Sequence, residues 1–131
     1  MASIESALYS HLSGYVGLSE LVGNRIYPPP AAQNATPPYV TYYEISAASD
    51  HAMGGRSGLY IAHYAVEAWA TTAESALAIA RQIENALDHY SGTDDGIVIT
   101  LSLLLPSGGP PYDEEANLFR RLREFEIEFR L

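Results

Sequence analysis

The sequence contains no cysteine and no lysine. Without cysteine the chain has no disulfide, no thiolate nucleophile and no sulfur-ligated zinc. Its permanent positive charge rests on seven arginines, against sixteen acidic residues, and the net charge is −9. Tight binding to a phosphate backbone needs a cationic footprint. We therefore expect no tight binding of nucleic acid.

Long apolar runs are also missing. The longest, Ile97 to Leu105, is interrupted by Thr100 and Ser102 and is too short to cross a bilayer. The N-terminus lacks the basic region, apolar run and cleavage site of a signal peptide. With 131 residues, the chain is expected to form a single soluble domain over residues 1–131, with no membrane partner.

Patterns that carry catalytic or cofactor chemistry are weak. The glycine-rich stretch Gly54 to Gly58 lacks a P-loop lysine and precedes a predicted strand instead of opening a helix. The four histidines are dispersed, and Glu67 would lie about 13 Å from His63 along a strand, too far to share a metal ion. There is no Gly-x-Ser-x-Gly elbow. The sequence predicts no enzyme, no cofactor and no metal site.

The stretch from Leu59 to Tyr90 has the clearest local pattern. It reads as a strand to Ala70 followed by an amphipathic helix whose apolar residues recur every three or four positions. Thr71 and Glu74 have capping-box spacing, which predicts the start of the helix at Thr71. Gly92 is predicted to provide its left-handed stop.

Further helices and strands are predicted on either side. Ser3 is expected to cap a first helix, and a short turn spans Leu18 to Val22. Three prolines follow Tyr27, so a strand at Arg25 to Tyr27 must be short and lie near a sheet edge. Period-two alternation then predicts strands at Tyr39 to Ile45, Leu59 to Ala70, Ile97 to Leu105 and from Leu118 to the C-terminus.

The closing strand changes phase. Its apolar residues occupy even positions at Leu118 and Leu122 and odd positions from Phe125 onward, which predicts a bulge or bend between Leu122 and Phe125. The order helix-strand-strand-helix-strand-strand predicts an α+β fold. We expect an antiparallel or mixed sheet of about four main strands, with two helices packed on one face.

The closing strand also concentrates charge, with four arginines interleaved with Glu124, Glu126 and Glu128. One interpretation is a solvated strand face with cross-strand ion pairs. The other is a polar surface that meets a neighbouring subunit. Ten tyrosines and Trp69 allow the same two interpretations, since tyrosine packs sheets and is also common at interfaces.

Several short segments follow one another along the chain: Ala7-Leu8, Leu21 to Pro28, Pro37 to Val40, Val66 to Ala70, the alanine-rich helix to Asp88, Leu118 to Arg121 and Phe125 to Ile127. In this order and spacing they resemble the tail-completion family of long-tailed bacteriophages, also called tail-terminator or tail-to-head joining proteins. The resemblance covers nearly the whole chain. Glu67 and Glu124 stand where the family often has aspartate, which keeps the charge.

This resemblance implies a structural protein of the virion tail or neck, assembled in the host cytoplasm. Its subunits would form a hexameric ring that caps the tail tube, meets head-completion or stopper proteins and lets DNA pass. The alternative is a small adaptor or inhibitor-type binding module without ring assembly. The predicted interface residues are His51, Met53, Arg56 and Tyr60 in and after one long loop, Tyr112, Glu114 and Glu115 in the other, and Arg120, Arg121 and Arg123 in the closing strand.

Overall fold

The computed structural model describes residues 3–28, 35–49 and 58–130. These residues form three helices and a seven-stranded sheet. The helices are α1 (Ile4–Gly14), α2 (Val16–Val22) and α3 (Ala73–Leu87). The strands are β1 (Ile26–Tyr27), β2 (Tyr39–Ser49), β3 (Leu59–Ala70), β4 (Tyr90–Asp94), β5 (Ile97–Leu105), β6 (Tyr112–Asp113) and β7 (Leu118–Arg130).

The sheet is mixed, and its two longest strands lie in the middle. The order is β1-β2-β3-β7-β5-β4, and β6 pairs with β7 beside this path. Among these described strands, only β1 runs parallel to its neighbour β2, and the other pairs are antiparallel. The α+β class and the short edge strand near Tyr27 are therefore confirmed.

The predicted element count is wrong: the described residues form seven strands instead of about four, and three helices instead of two. β4 was missed because Tyr90 to Asp94 is polar and contains Gly92, which resembled a helix stop. In the structure α3 ends at Leu87, with Asp88 as its C-cap, and His89 takes the left-handed backbone (φ 59°) expected of Gly92. Gly92 lies within β4 opposite Ile99.

The helix start also differs by one residue from the prediction. The N-cap of α3 is Thr72, whose side chain accepts a hydrogen bond from the backbone N–H of Ser75 at 3.1 Å. The predicted box between Thr71 and Glu74 is therefore wrong. At the first helix Ser3 is the N-cap, as predicted, and it forms a reciprocal box with Ser6.

Replacing Thr72 with alanine should lower the free energy of unfolding by about 1 kcal/mol, because Ser75 N–H would lose its cap acceptor. Thr71 is the matched control: it is also exposed, and its replacement by alanine should change stability by less than about 0.5 kcal/mol. Urea unfolding of both variants measures the difference. A larger loss at Thr71 than at Thr72 would contradict this capping geometry.

The bulge predicted in the closing strand is not found between Leu122 and Phe125. Pairing between β7 and β3 runs without a register shift from Phe119 to Arg130. The bulges lie instead in two other strands, between Glu44 and Ser46 of β2 and between Ile99 and Leu101 of β5. The phase change arises because Leu118 and Leu122 lie on the opposite sheet face from Phe125.

The hydrophobic core lies between the helices and one face of the sheet. Alternate residues of β3, such as Ala62 and Val66, point into it and meet Leu8, Leu12 and the inner face of α3. On β7 the inward residues are Phe125, Ile127 and Phe129, all buried. Because these residues point inward, the alternate residues of each strand point outward. The candidate surface lies on this outward face of the sheet.

Candidate interaction surface

The outward face of the sheet carries no helix in the part of the chain that the structure describes. On β3 this face holds Ile61, His63, Ala65, Glu67 and Trp69, since the alternate residues of β3 lie in the core. Directly paired residues of antiparallel strands share a face. The outward face of β7 is thereby assigned, and it includes Arg120, Leu122, Glu124, Glu126, Glu128 and Arg130.

An ion cluster occupies one end of this face. The carboxylate of Glu67 is buried at 5% exposure and lies 4.0 Å from Nη1 of Arg120. The same nitrogen lies 3.6 Å from Asp113 of β6. Tyr43 donates a hydrogen bond from its hydroxyl to Glu67 Oε1 at 3.2 Å. Buried charge is retained only when it is paired, so Glu67 depends on Arg120 and Tyr43.

Aromatic rings hold this cluster in place. The guanidinium of Arg120 lies over the ring of Trp69, 5.5 Å from its centroid, within the range of a cation–π contact. Trp69 donates from Nε1 to Thr41 Oγ1 at 2.9 Å and stacks on Tyr39 at 6.0 Å. The cluster is therefore ordered before any partner binds.

Burial, followed by the charge of Glu67, raises the pKa of Tyr43. Burial also raises the pKa of Tyr39, with a further contribution from the charge of Asp113. Both phenols are therefore neutral at pH 7, and Tyr43 remains a hydrogen-bond donor to Glu67.

A row of carboxylates occupies the rest of the outward face. Glu124, Glu126 and Glu128 follow one another at every second position of β7, about 7 Å apart by backbone rise. Of the three, only Glu126 has an ion-pair partner among the described residues, His63, whose Nε2 lies at 3.5 Å. The row is not neutralised within the described part of the subunit.

Apolar side chains flank this acidic row. On β5, Leu101 lies opposite Glu128 and Leu103 lies opposite Glu126, and both leucines are half-buried. On β3, Ile61 lies opposite Glu128 from the other side. Val98, near the same edge, is 43% exposed. The acidic row is therefore bordered by partly buried apolar side chains on both sides.

Two arginines lie on the opposite, helix-covered face of β7. Arg121 and Arg123 occupy odd positions of β7, opposite Ala68 and Val66 of the core face. Nε of Arg123 donates to Glu84 of α3 at 2.6 Å. Beside this ion pair lies a cleft of about 320 Å³, lined by Glu84, Leu104, Leu105, Pro106, Ser107 and Arg123.

The loop before β7 ends in an acidic turn. Tyr112 packs edge-on against Phe119 at 4.9 Å and donates a hydrogen bond to the Asn117 side chain. Asp113 accepts from the backbone N–H of Ala116 at 2.9 Å, and Asn117 takes a left-handed backbone. Glu114 and Glu115 are exposed at the tip.

The residues predicted for the interface are dispersed. His51, Met53 and Arg56 lie outside the described residues. Tyr60 points towards the core side of β3 and stacks on Phe129 at 5.6 Å. The three arginines predicted to act together are divided between the two sheet faces: Arg120 lies on the outward face, and Arg121 and Arg123 lie on the helix side.

Sequence reasoning missed the ion cluster and the flanks of the acidic row. Tyr43 and Glu67 could have been placed together by strand alternation, because both occupy odd positions of adjacent strands. Asp113 carried no such signal, since β6 has only two residues. Continuing the alternation through β7 without a bulge would have separated Arg121 and Arg123 from the glutamates.

Among the described residues, no group of three or more histidine or acidic side chains is arranged to hold a metal ion. No helix in residues 3–28, 35–49 and 58–130 has the length and apolar character needed to cross a membrane.

Comparisons with known proteins identify a matching family and several chains of similar structure. The family model described as tail completion protein gp17 matches residues 6–129. A chain in the solved structure "Virion of native gene transfer agent (GTA) particle" is similar, with a TM-score of 0.75 and 20% identity over 98% of this chain and 96% of that chain. No curated protein matches the sequence significantly.

Proposed function

Because the chain belongs to the tail completion protein gp17 family, we propose that it forms a ring of identical subunits at the head-proximal end of a tail tube. The family match extends over nearly the whole chain, and this observation carries the proposal. A tail completion protein has a structural role in the virion. We further propose that the ring has six subunits and acts without catalysis.

The uncovered sheet face supports an assembling subunit. Leu101, Leu103 and Val98 lie on a surface that no helix covers in the described chain. Val98 is 43% exposed there, and the two leucines are partly buried. Assembly with other subunits would bury this surface.

In this proposal the ring meets two further proteins, the tail tube protein on one side and a head-completion or stopper protein on the other. Its place is the tail or neck of the virion, and assembly occurs in the host cytoplasm. A chain of similar fold occurs in the solved structure of a gene transfer agent virion.

The net charge of −9 suits a ring through which DNA passes. An acidic surface repels phosphates, so DNA would slide past it instead of being held. Fluorescence anisotropy with duplex DNA at low salt should therefore show no submicromolar binding. Submicromolar affinity would overturn this part of the proposal.

Light scattering at several protein concentrations tests assembly. The mass should rise from 14.3 kDa towards six times that value as the concentration increases. If the mass stays at 14.3 kDa at every concentration, with or without tail tube protein, the ring is excluded. The adaptor or inhibitor-type module would then be the better interpretation.

A further inference from the structure

The alternation of β7 places its three glutamates and two of its arginines on opposite sides of the subunit, while Arg120 and Arg130 share the outward side with the glutamates. Glu124, Glu126 and Glu128 lie on the outward sheet face, and Arg121 and Arg123 lie on the helix side. Successive side chains of a strand point to opposite faces, so a single strand supplies both signs. We call the outward row with its flanking leucines Leu101 and Leu103 the acidic face.

The helix side carries charges of both signs, since α3 contributes Glu74 and Glu84 as well as Arg81. Arg123 is already paired with Glu84 of α3 at 2.6 Å. Arg81 precedes Glu84 by three residues, so it lies on the same side of α3, and it is exposed. Arg121 precedes Arg123 by two residues on the same face of β7. Neither Arg81 nor Arg121 has an ion-pair partner among the described residues, and we call these two residues the basic side.

Most of the other described arginines are engaged within the subunit. Nε of Arg25 donates to the carbonyl of Pro38 at 2.8 Å, and Arg120 is bound in the cluster with Glu67 and Asp113. Because the chain has no lysine, a permanent cation that meets the acidic face of a second copy must be an arginine. Among the described residues, the basic side therefore supplies arginines that have no ion-pair partner within the subunit.

Ring closure requires two different surfaces that recognise each other. Two acidic faces would repel, and so would two basic sides, so charge disfavours a symmetric two-fold contact. Contact between the acidic face of one copy and the basic side of another is attractive. Each pair formed in this way still has one free acidic face and one free basic side. This arrangement can repeat around a ring.

We propose that the acidic face of one copy docks on the basic side of the next copy in the ring, with Glu126 near Arg81. The occupant of the uncovered sheet face is thus a second copy of this chain, and the apolar flank of Leu101 and Leu103 is buried at the contact. The inference rests on the proposed ring and adds which surfaces form it.

Charge reversal tests the pairing. Glu126→Arg and Arg81→Glu should each raise the concentration at which half of the chains assemble by at least about tenfold, because like charges then meet. Glu20→Arg on exposed α2 is the control for the same charge change, and it should assemble within about threefold of the natural chain. Thermal unfolding verifies that each variant is folded.

Mixing the two reversed variants gives the decisive comparison. In an equimolar mixture, the reversed charge at position 126 of one variant faces the reversed charge at position 81 of the other, and these two charges again attract. At every second contact, the unchanged Glu126 of one variant faces the unchanged Arg81 of the other. An alternating ring of six should therefore form from the mixture but from neither variant alone.

The outcomes separate the two proposals. If the natural chain assembles and the single variants assemble equally well, another partner covers the acidic face, and this inference is wrong while the ring stands. Folded variants that fail both alone and in the mixture would show that Glu126 and Arg81 do not meet. If the natural chain never assembles, the proposed function itself fails.

Discussion

Replacing Phe125 with alanine is expected to lower the free energy of unfolding by about 3–5 kcal/mol, the typical loss for a large buried ring. Phe125 is fully buried in β7, opposite Tyr64 of β3 and Leu104 of β5. Because β7 lies between these two strands, the neighbouring side chains are held on both sides. They cannot collapse easily into the space that the missing ring would leave.

Urea unfolding measures this loss, at concentrations where light scattering shows only monomer, since assembly would add to apparent stability. Val98→Ala is the control: this side chain is 43% exposed, and its truncation should lower the free energy by less than about 1 kcal/mol. A similar loss for both variants would show that the core is not centred on β7.

The second large effect is expected at Arg120. Replacing it with methionine should destabilise the fold by roughly 3 kcal/mol, because the buried carboxylate of Glu67 would lose its cation. The double variant Glu67→Gln with Arg120→Met should lose much less, since neither charge then remains. The difference between the loss in the double variant and the sum of the losses in the two single variants measures how strongly Glu67 and Arg120 are coupled.

Arg121→Met is the matched control for this cycle. Arg121 adjoins Arg120 in β7 but points to the helix side, without an ion pair in the described residues. Its replacement should change stability by less than about 0.5 kcal/mol. If the Arg120 single variant and the double variant unfold at the same urea concentration, Glu67 does not depend on Arg120.

Strong local periodicity in the sequence predicted the parts of the fold with long apolar patterns. The strand from Leu59 to Ala70 and the strand from Ile97 to Leu105 have the predicted bounds, and the turn at Asp94 to Gly96 joins β4 to β5 as a tight hairpin. The prolines after Tyr27 correctly predicted a short edge strand. These features depend on residues close together in the chain.

The remaining features depend on tertiary contacts. β4 is polar and is stabilised by pairing with β5, so its own residues carry no strand pattern. Arg123 occupies a core-facing position because Glu84 of α3 neutralises it, and this pairing spans 39 residues of sequence. The partner of Glu67 across the outward face likewise comes from the far end of the chain.

The interface prediction treated the arginines and glutamates of the closing strand as one interleaved set. In the structure the glutamates lie beside Leu101 and Leu103 and share their face with Arg120, whereas Arg121 and Arg123 lie on the side of α3. The interpretation as a surface that meets a neighbouring subunit remains a proposal. The division provides it with two complementary surfaces.

Electron cryomicroscopy of the assembled chain directly tests the proposed ring and the contact between the acidic face and the basic side. We expect rings of six copies around a central hole, in which the acidic face of each copy contacts Arg81 and Arg121 of its neighbour. Particles without a central hole would contradict the ring. A ring in which the acidic face is directed to solvent, away from every neighbouring copy, would contradict the proposed docking of the acidic face on the basic side.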